Sequence, residues 1–286
     1  MILNNTRHTG KTPDETSHDE KVAQLCDLTL ILPAYNERAT ILSTIDEAFA
    51  YFKSRGMNVE IIVAADGNDG TRELVREKVK TIPNLIVIGH EQRGGKGRAI
   101  REAVPLASGS IIGFADADNK VPIDEFDKFR PYLDDGCPLV TGSRALAKSQ
   151  VERRQPLYRR IGSKGYYWLM QGVVGLPGIV DSQCGFKFFQ REVAVQLFRL
   201  QQVNGVAFDV EVLALAHHIG YRIQEVPIRW RDDADSRLQL VSGSIRVLTD
   251  MFKIRRYISG LKEAPVTFGA AAGEARGPVV RRANVS

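Results

Sequence analysis

Two aspartates separated by one alanine, Asp116-Ala117-Asp118, follow directly on the apolar run Ser110–Ala115. If the chain turns there, both carboxylates converge at the end of a strand. A carboxylate pair on a loop suits Mg²⁺ or Mn²⁺, which prefer oxygen ligands and share their shell with substrate phosphates. An ion held there would neutralise the charge that builds up on a leaving diphosphate. The competing reading is a solvated turn ahead of a helix opening after Pro122. A bare D-x-D is common, so the metal reading needs company.

Three further stretches supply it. Pro33-Ala34-Tyr35-Asn36-Glu37 closes an apolar run and opens a helical one; Tyr35 suits stacking on a nucleobase and Glu37 sits where a helix start meets a ligand. The bland alternative is a strand-ending Pro33 with Asn36 as helix cap. Asp66-Gly67-Asn68-Asp69-Gly70-Thr71 follows the next apolar run. There Asp66 suits a base N–H, and the structural alternative is a turn with Asp69 as cap. Arg93-Gly94-Gly95-Lys96-Gly97-Arg98 precedes a helical stretch, the setting in which backbone N–H groups at a helix start bind phosphate. The stretch is not a P-loop, because Gly89 is one residue too far from Gly95-Lys96 and Gly97 stands where Ser or Thr belongs. Nor does the first strand run into G-x-G-x-x-G, which weighs against a dinucleotide-binding Rossmann site.

These loops need a scaffold, and the hydrophobic pattern provides one. Leu28–Pro33, Val59–Ala64, Leu85–Gly89, Ser110–Ala115, Leu139–Thr141 and Arg222–Pro227 read as strands. Glu37–Arg55, a stretch from Asp69 to Lys80, Lys96–Ala107, Pro122–Leu133, Phe208–His218 and Leu238–Ile258 read as helices. Alternating strands and helices imply a Rossmann-like three-layer α/β/α sandwich with a mostly parallel central sheet. Ligands in such sheets bind at the carboxyl ends of the strands, and each of the four loops follows a predicted strand. Shared placement on one edge points to a nucleotide-diphosphate site.

Composition narrows the class. The chain has 286 residues, 39 Lys+Arg against 34 Asp+Glu, and a formal charge of +5, an excess compatible with a solvated surface, an anionic ligand or an anionic membrane face. Cys26, Cys137 and Cys184 are too few and too widely spaced for a cysteine zinc site and fit a reducing compartment. Residues 1–26 lack the apolar core of a signal peptide. The longest nearly apolar run, Tyr166–Val180, is too short to span a bilayer. We therefore expect a cytoplasmic protein without a transmembrane helix. Basic residues cluster at Lys148, Arg153, Arg154, Arg159, Arg160 and Lys164, but Tyr158 is the one aromatic among them suited to base stacking, so no nucleic-acid partner is expected.

The motifs together resemble glycosyltransferase family 2, and within it the dolichyl-phosphate β-glucosyltransferase and polyprenyl-phosphate glycosyltransferase branch. The stretches are ILPAYNE (31–37), DEAFAYF (46–52), RGGKGRAIR (93–101), FADAD (114–118), GSRA (142–145), DSQCGFKFF (181–189), FDVEVL (208–213) and EVPIRW (225–230). The resemblance spans roughly residues 28–260 and implies a GT-A fold, a nucleotide-sugar donor with UDP-glucose favoured, Mg²⁺ or Mn²⁺, and inverting transfer to a polyprenyl phosphate. Carried over, Asp116 and Asp118 hold the metal; Pro33, Tyr35, Glu37, Asp66 and Lys96 frame the nucleotide; Arg144 and Asp181 border sugar and acceptor. Two motifs depart from the branch: Asp-Asp-Gly-Ser is here Ala65-Asp66-Gly67-Asn68, and Gly-Ser-Lys is Asp235-Ser236-Arg237.

A phosphate acceptor is already an anion, whereas a hydroxyl acceptor needs a general base. Asp118, Asp181 and Arg144 are thus the candidate catalytic residues, with Asp181 as base or as positioning group. Lys96, Arg144 and Arg237 are candidates to compensate phosphate charge. The last helix sets Val241, Ile245, Leu248 and Phe252 in one stripe beside Val247, Met251, Ile254 and Ile258, flanked by Arg246, Lys253, Arg255 and Arg256. At roughly 1 kcal/mol per basic residue near an anionic leaflet, four supply about 4 kcal/mol, enough for peripheral membrane contact only; packing on the core or on a second copy in a homo-oligomer is the alternative. The expected organisation is a tail at 1–26, a catalytic domain at 27–237, an amphipathic basic helix at 238–262 and a tail at 263–286, the two tails reading as disordered from their composition. A transferase with a soluble acceptor and a non-catalytic nucleotide-sugar-binding subunit remain as alternatives.

Overall fold

The computed structural model describes residues 26–151, 170–231 and 242–261. Apart from Cys26, the expected tails lie outside the described residues, as do most of the basic cluster, the first part of 166–180 and the segment with Asp235, Ser236 and Arg237. In chain order the elements are β1 (Leu28–Tyr35), α1 (Ile41–Ser54), β2 (Val59–Asp66), α2 (Thr71–Val79), β3 (Leu85–Ile88), α3 (Lys96–Ala103), β4 (Ile111–Ala115), α4 (Arg130–Asp134), β5 (Leu139–Ser143), β6 (Gln150–Val151), β7 (Phe186–Gln190), α5 (Arg191–Leu200), α6 (Phe208–Ile219), β8 (Ile223–Pro227), β9 (Arg229–Trp230) and α7 (Ser242–Gly260).

Seven strands form one sheet in the order β3-β2-β1-β4-β7-β5-β8, and β6 pairs with β9 in a small second sheet. β7 alone runs against its neighbours in the large sheet; the β1–β2, β1–β4, β2–β3 and β5–β8 pairs are parallel. β2 is buried along its whole length, as expected of a parallel strand covered on both faces. Period-two alternation divides the core. Leu28, Leu30 and Leu32 face a layer with Ile41, Ile45, Phe52, Phe126 and Phe129. Ile31, Phe114 and Phe189 face the other layer, with Ile100, Leu197, Phe208, Leu213 and Met251. The expected three-layer sandwich is what forms.

The differences are at element ends. The helix expected from Glu37 begins at Ile41. Asn36 is left-handed at φ 55°, so it does not cap, because a capping residue sits in the extended region. The helices expected over Lys96–Ala107 and Pro122–Leu133 each break into an α and a 3-10 piece. Pro105 and Pro131 remove the donor that would continue the α ladder. Asp69 serves the next helix one residue early: its Oδ1 accepts the Thr71 N–H at 3.0 Å, while Gly70 occupies the cap position. Cys26, placed in the tail by composition, is buried and its carbonyl accepts from Ser110. On α7 the two stripes separate: Met251 and Ile254 are buried in the core while Phe252 is 59% exposed. No described helix is long and apolar enough to cross a membrane.

Candidate active site

The carboxyl edge of the sheet is stitched loop to loop. Tyr35 and Asp66 are the last paired residues of β1 and β2. Beyond them the Glu37 N–H donates to Thr71 Oγ1 at 3.0 Å and the Arg38 N–H to Asp69 Oδ2 at 3.1 Å. Thr40 Oγ1 donates to the Glu37 carboxylate at 3.1 Å. Tyr35 is 40% exposed, with the Arg93 guanidinium 4.5 Å from its ring centre, a cation–π stack on the surface read as a base shelf.

Asp66 differs from expectation. It is 6% exposed, and its oxygens accept the N–H groups of His90 at 3.1 Å and Gly94 at 2.7 Å, and Arg98 Nη2 at 3.2 Å. In this structure the carboxylate organises the 90–94 loop rather than facing outward for a base. The glycine-rich loop also departs from the phosphate-cradle reading. At the α3 start, the N–H groups of Gly97 and Arg98 donate to Asn204 O at 2.9 and 3.4 Å. A Cβ on Gly95 would lie 2.3 Å from Asn204 O, and one on Gly97 2.3 Å from Val203 O. These glycines admit a neighbouring backbone, and the loop amides of Gly94, Gly97 and Arg98 are engaged by protein. The cation of the loop is Lys96.

Lys96 reaches the DAD turn, its Nζ 2.6 Å from Asp116 Oδ1. Burial would lower the Lys96 pKa, but the charges of Asp116 and Asp209 outweigh it and hold the ammonium above its usual value. Asp116 lies two residues past the last β1–β4 pair, Ile31 and Phe114, and so comes level with Pro33. The chain turns as foreseen: the Asn119 N–H donates to Asp116 O at 3.2 Å and Asn119 is left-handed at φ 54°. Ala117 is buried and its carbonyl accepts from Thr44 Oγ1, so the flanking carboxylates both face away from that core. They stay 39% and 32% exposed, Asp118 with Lys120 Nζ at 2.8 Å. Two partly exposed carboxylates, each balanced by an ammonium, are a donor set that fits a hard divalent ion whose remaining positions belong to substrate oxygens and water.

The other half of the edge carries a second unit. Asp181 Oδ2 accepts from the Arg144 backbone N–H at 2.9 Å and Nε at 2.7 Å, and Oδ1 accepts from Nη2 at 2.8 Å. Burial would raise the Asp181 pKa, but the guanidinium overrides it and holds the carboxyl below the usual range. Arg144 also lies 5.6 Å from the Trp230 ring centre. Glu225 anchors this corner from behind, accepting the N–H groups of Val180 at 2.9 Å and Asp181 at 3.0 Å. Sequence reasoning did not foresee the stacking of Arg93, the anchoring by Glu225 or the placing of Trp230. The last two lie in EVPIRW, where a strand pattern gives no sign that polar residues reach a site.

The description glycosyl transferase family 2 matches residues 29–198. A dolichyl-phosphate beta-glucosyltransferase of Trichomonas vaginalis is 34% identical over 238 residues, covering 79% of this chain and 72% of that one. The enzyme of the same name from Homo sapiens is 30% identical, covering 82% and 76%. Among solved structures, glucosyl-3-phosphoglycerate synthase from Mycobacterium tuberculosis, crystallised with Mn²⁺, UDP-glucose and phosphoglyceric acid, superposes with a TM-score of 0.59 at 21% identity, covering 80% of this chain and 79% of that chain. The fold is therefore GT-A. With the carboxylate rim already in place on that fold, the match over more than half its length makes this chain a member of glycosyl transferase family 2, and a glycosyltransferase enzyme.

Proposed function

We propose that this enzyme transfers glucose, with inversion, from UDP-glucose to a dolichyl or other polyprenyl phosphate. The observation that carries the reading is the half-exposed Asp116/Asp118 pair beside Lys96 at the end of β4, on the same sheet edge as the Arg144–Asp181 unit. The names of the relatives, dolichyl-phosphate beta-glucosyltransferases at 29–34% identity, support the donor sugar and the acceptor. Asp116 and Asp118 would hold Mg²⁺ or Mn²⁺, which when bound supplies charge neutralisation for the departing diphosphate.

The chain's own groups do the rest. Tyr35 offers its ring to the base. Lys96, held cationic by the carboxylates around it, faces the phosphate side of the same edge. Arg144, fixed by three bonds to one carboxylate, presents its charge to an anionic acceptor without reorganising. Asp181 is a positioning group, because a carboxylate held ionised by a guanidinium is a poor base and a phosphate oxygen needs none. Phe252, Lys253, Arg255 and Arg256 on the outer side of α7 give a face for peripheral contact with the cytoplasmic membrane surface.

The test is a donor panel (UDP-glucose, GDP-mannose, UDP-N-acetylglucosamine), each radiolabelled in the sugar, with a short polyprenyl phosphate and Mn²⁺. Label from UDP-glucose should move into organic solvent. Label that reaches only water-soluble products refutes the lipid acceptor, and transfer from another donor alone refutes glucose.

A further inference from the structure

The most deeply buried charge in the described molecule has no part in the scheme above. Lys187 is 0% exposed, on β7, an interior strand of the sheet. Its ammonium donates to Asp209 Oδ1 at 2.6 Å, Cys184 O at 2.6 Å and Ser182 O at 3.1 Å, which uses all three of its N–H bonds. Asp209, at the start of α6, is itself 4% exposed. Burying such a pair is expensive, and apolar residues of similar volume commonly stabilise a core as well or better. Stability alone does not account for it.

Its position does. β4 and β7 pair antiparallel, with Ala115 opposite Phe186, so one step further Asp116 lies against Gly185. A Cβ on Gly185 would be 2.1 Å from Asp116 Oδ2; the loop is the back wall of the carboxylate. Two carbonyls of that loop are the ones Lys187 holds. From the other side, Asp209 acts on Lys96, the partner of Asp116, and both ammoniums stand 5.5 Å from the ring centre of Phe114. Charges alternate along the sequence Lys187, Asp209, Lys96, Asp116, from the core to the rim.

We infer that Lys187, paired with Asp209, is a positioning residue for sugar transfer: it pins the 182–185 loop behind Asp116 and so sets the carboxylate for the metal-bound nucleotide. The inference rests on the glycosyltransferase reading of the DAD rim. Lys187 touches no reactant; it acts through the loop and through Asp209.

The test uses the full chain and isothermal titration with UDP, with and without Mn²⁺. Because Lys187→Met leaves an unpaired buried carboxylate behind, which destabilises the fold, it is paired with the double variant Lys187→Met/Asp209→Leu, which removes both charges. The double variant should melt at or above the parent temperature, yet bind UDP about tenfold or more weakly in Mn²⁺, the range seen when groups behind metal ligands are removed. UDP binding without Mn²⁺ should not change. Lys187→Met, where folded, should lose at least as much, since Asp209 is then free to draw Lys96 from Asp116. A folded variant with parental affinity in Mn²⁺ overturns the inference. The parent separates the two readings: if Mn²⁺ fails to strengthen UDP binding even there, the rim itself has been misread; if Mn²⁺ strengthens it equally in parent and double variant, only the role of Lys187 falls.

Discussion

At the amino end of the sheet, Thr29 and Glu60 stand opposite each other in the β1–β2 ladder. Glu60 is 8% exposed and accepts from the Thr29 hydroxyl at 2.8 Å, the Ser108 N–H at 3.0 Å and the Ser108 hydroxyl at 2.9 Å. Both oxygens are engaged by neutral protein donors, and Thr29 Oγ1 accepts in turn from the Gly109 N–H. At the carboxyl end, Asp116 and Asp118 keep about a third of their side chains in solvent, and their partners are the ammonium groups of lysines. The same residue class is closed at one end and left approachable at the other. A carboxylate closed by short-range neutral donors holds structure together; one left half-exposed and balanced by cations is available to an ion and to phosphates.

Substitution at each end should therefore fail in a different observable. Asp118→Ala should lower turnover about a thousandfold, the several kcal/mol that charge neutralisation contributes to such a step, with little change in thermal midpoint. Nucleotide release under saturating donor is the measurement. Glu60→Ala should do the reverse. It strands buried hydroxyl and amide donors, costing about 3 kcal/mol in denaturant unfolding, while turnover of the folded fraction stays within about twofold. Reduced turnover in folded Glu60→Ala would erase the distinction between the two ends.

The legibility of the two ends followed the same physics. The strand runs and the loops after them were readable because parallel strands are continuously apolar and turns are marked by Gly, Pro, Asn and Asp. Asp116 and Asp118 stand out in the sequence because an apolar strand ending in two charges is conspicuous. The use of Asp66 was not readable: its partners, the amides of His90 and Gly94, are backbone groups of a different loop. The glycines at 95 and 97 look like a phosphate cradle in sequence, and only three dimensions show that 203–204 fill the space. Lys187 is hidden for a similar reason. Nothing in FKFF marks its lysine as buried, but β7 is inserted between β4 and β5, which buries both of its faces.

The Arg144–Asp181 corner supplies the next test. The folded-state pKa of Asp181 lies below its ordinary value. A depressed carboxyl stabilises the fold fully above the unfolded value, about 3.9, and loses that contribution only as pH falls through the lower folded value. Between neutral pH and about pH 5 Asp181 therefore stays ionised, and any acid limb in that window belongs to another group or to the acceptor. Asp181→Asn should cost about 30-fold in turnover, the worth of one charged hydrogen-bonded contact, and leave the pH of the acid limb where it was. Disappearance of that limb in the variant would make Asp181 the base.

The smallest expected effect concerns Tyr35. It contributes little to the core at 40% exposure, and its ring face already carries the Arg93 guanidinium at 4.5 Å. A base stacked on that shelf gains about as much as an aromatic pair gains beyond its area, on the order of 1 kcal/mol. Tyr35→Ala should raise the donor KM by roughly fivefold to tenfold with kcat unchanged, the signature of binding that is equal in ground and transition states. Tyr35→Phe, which keeps the ring and removes only the hydroxyl, should behave as the parent. A fall in kcat with KM unchanged would place Tyr35 with the carboxylates, as a group felt in the transition state, and would move the base shelf elsewhere along the rim.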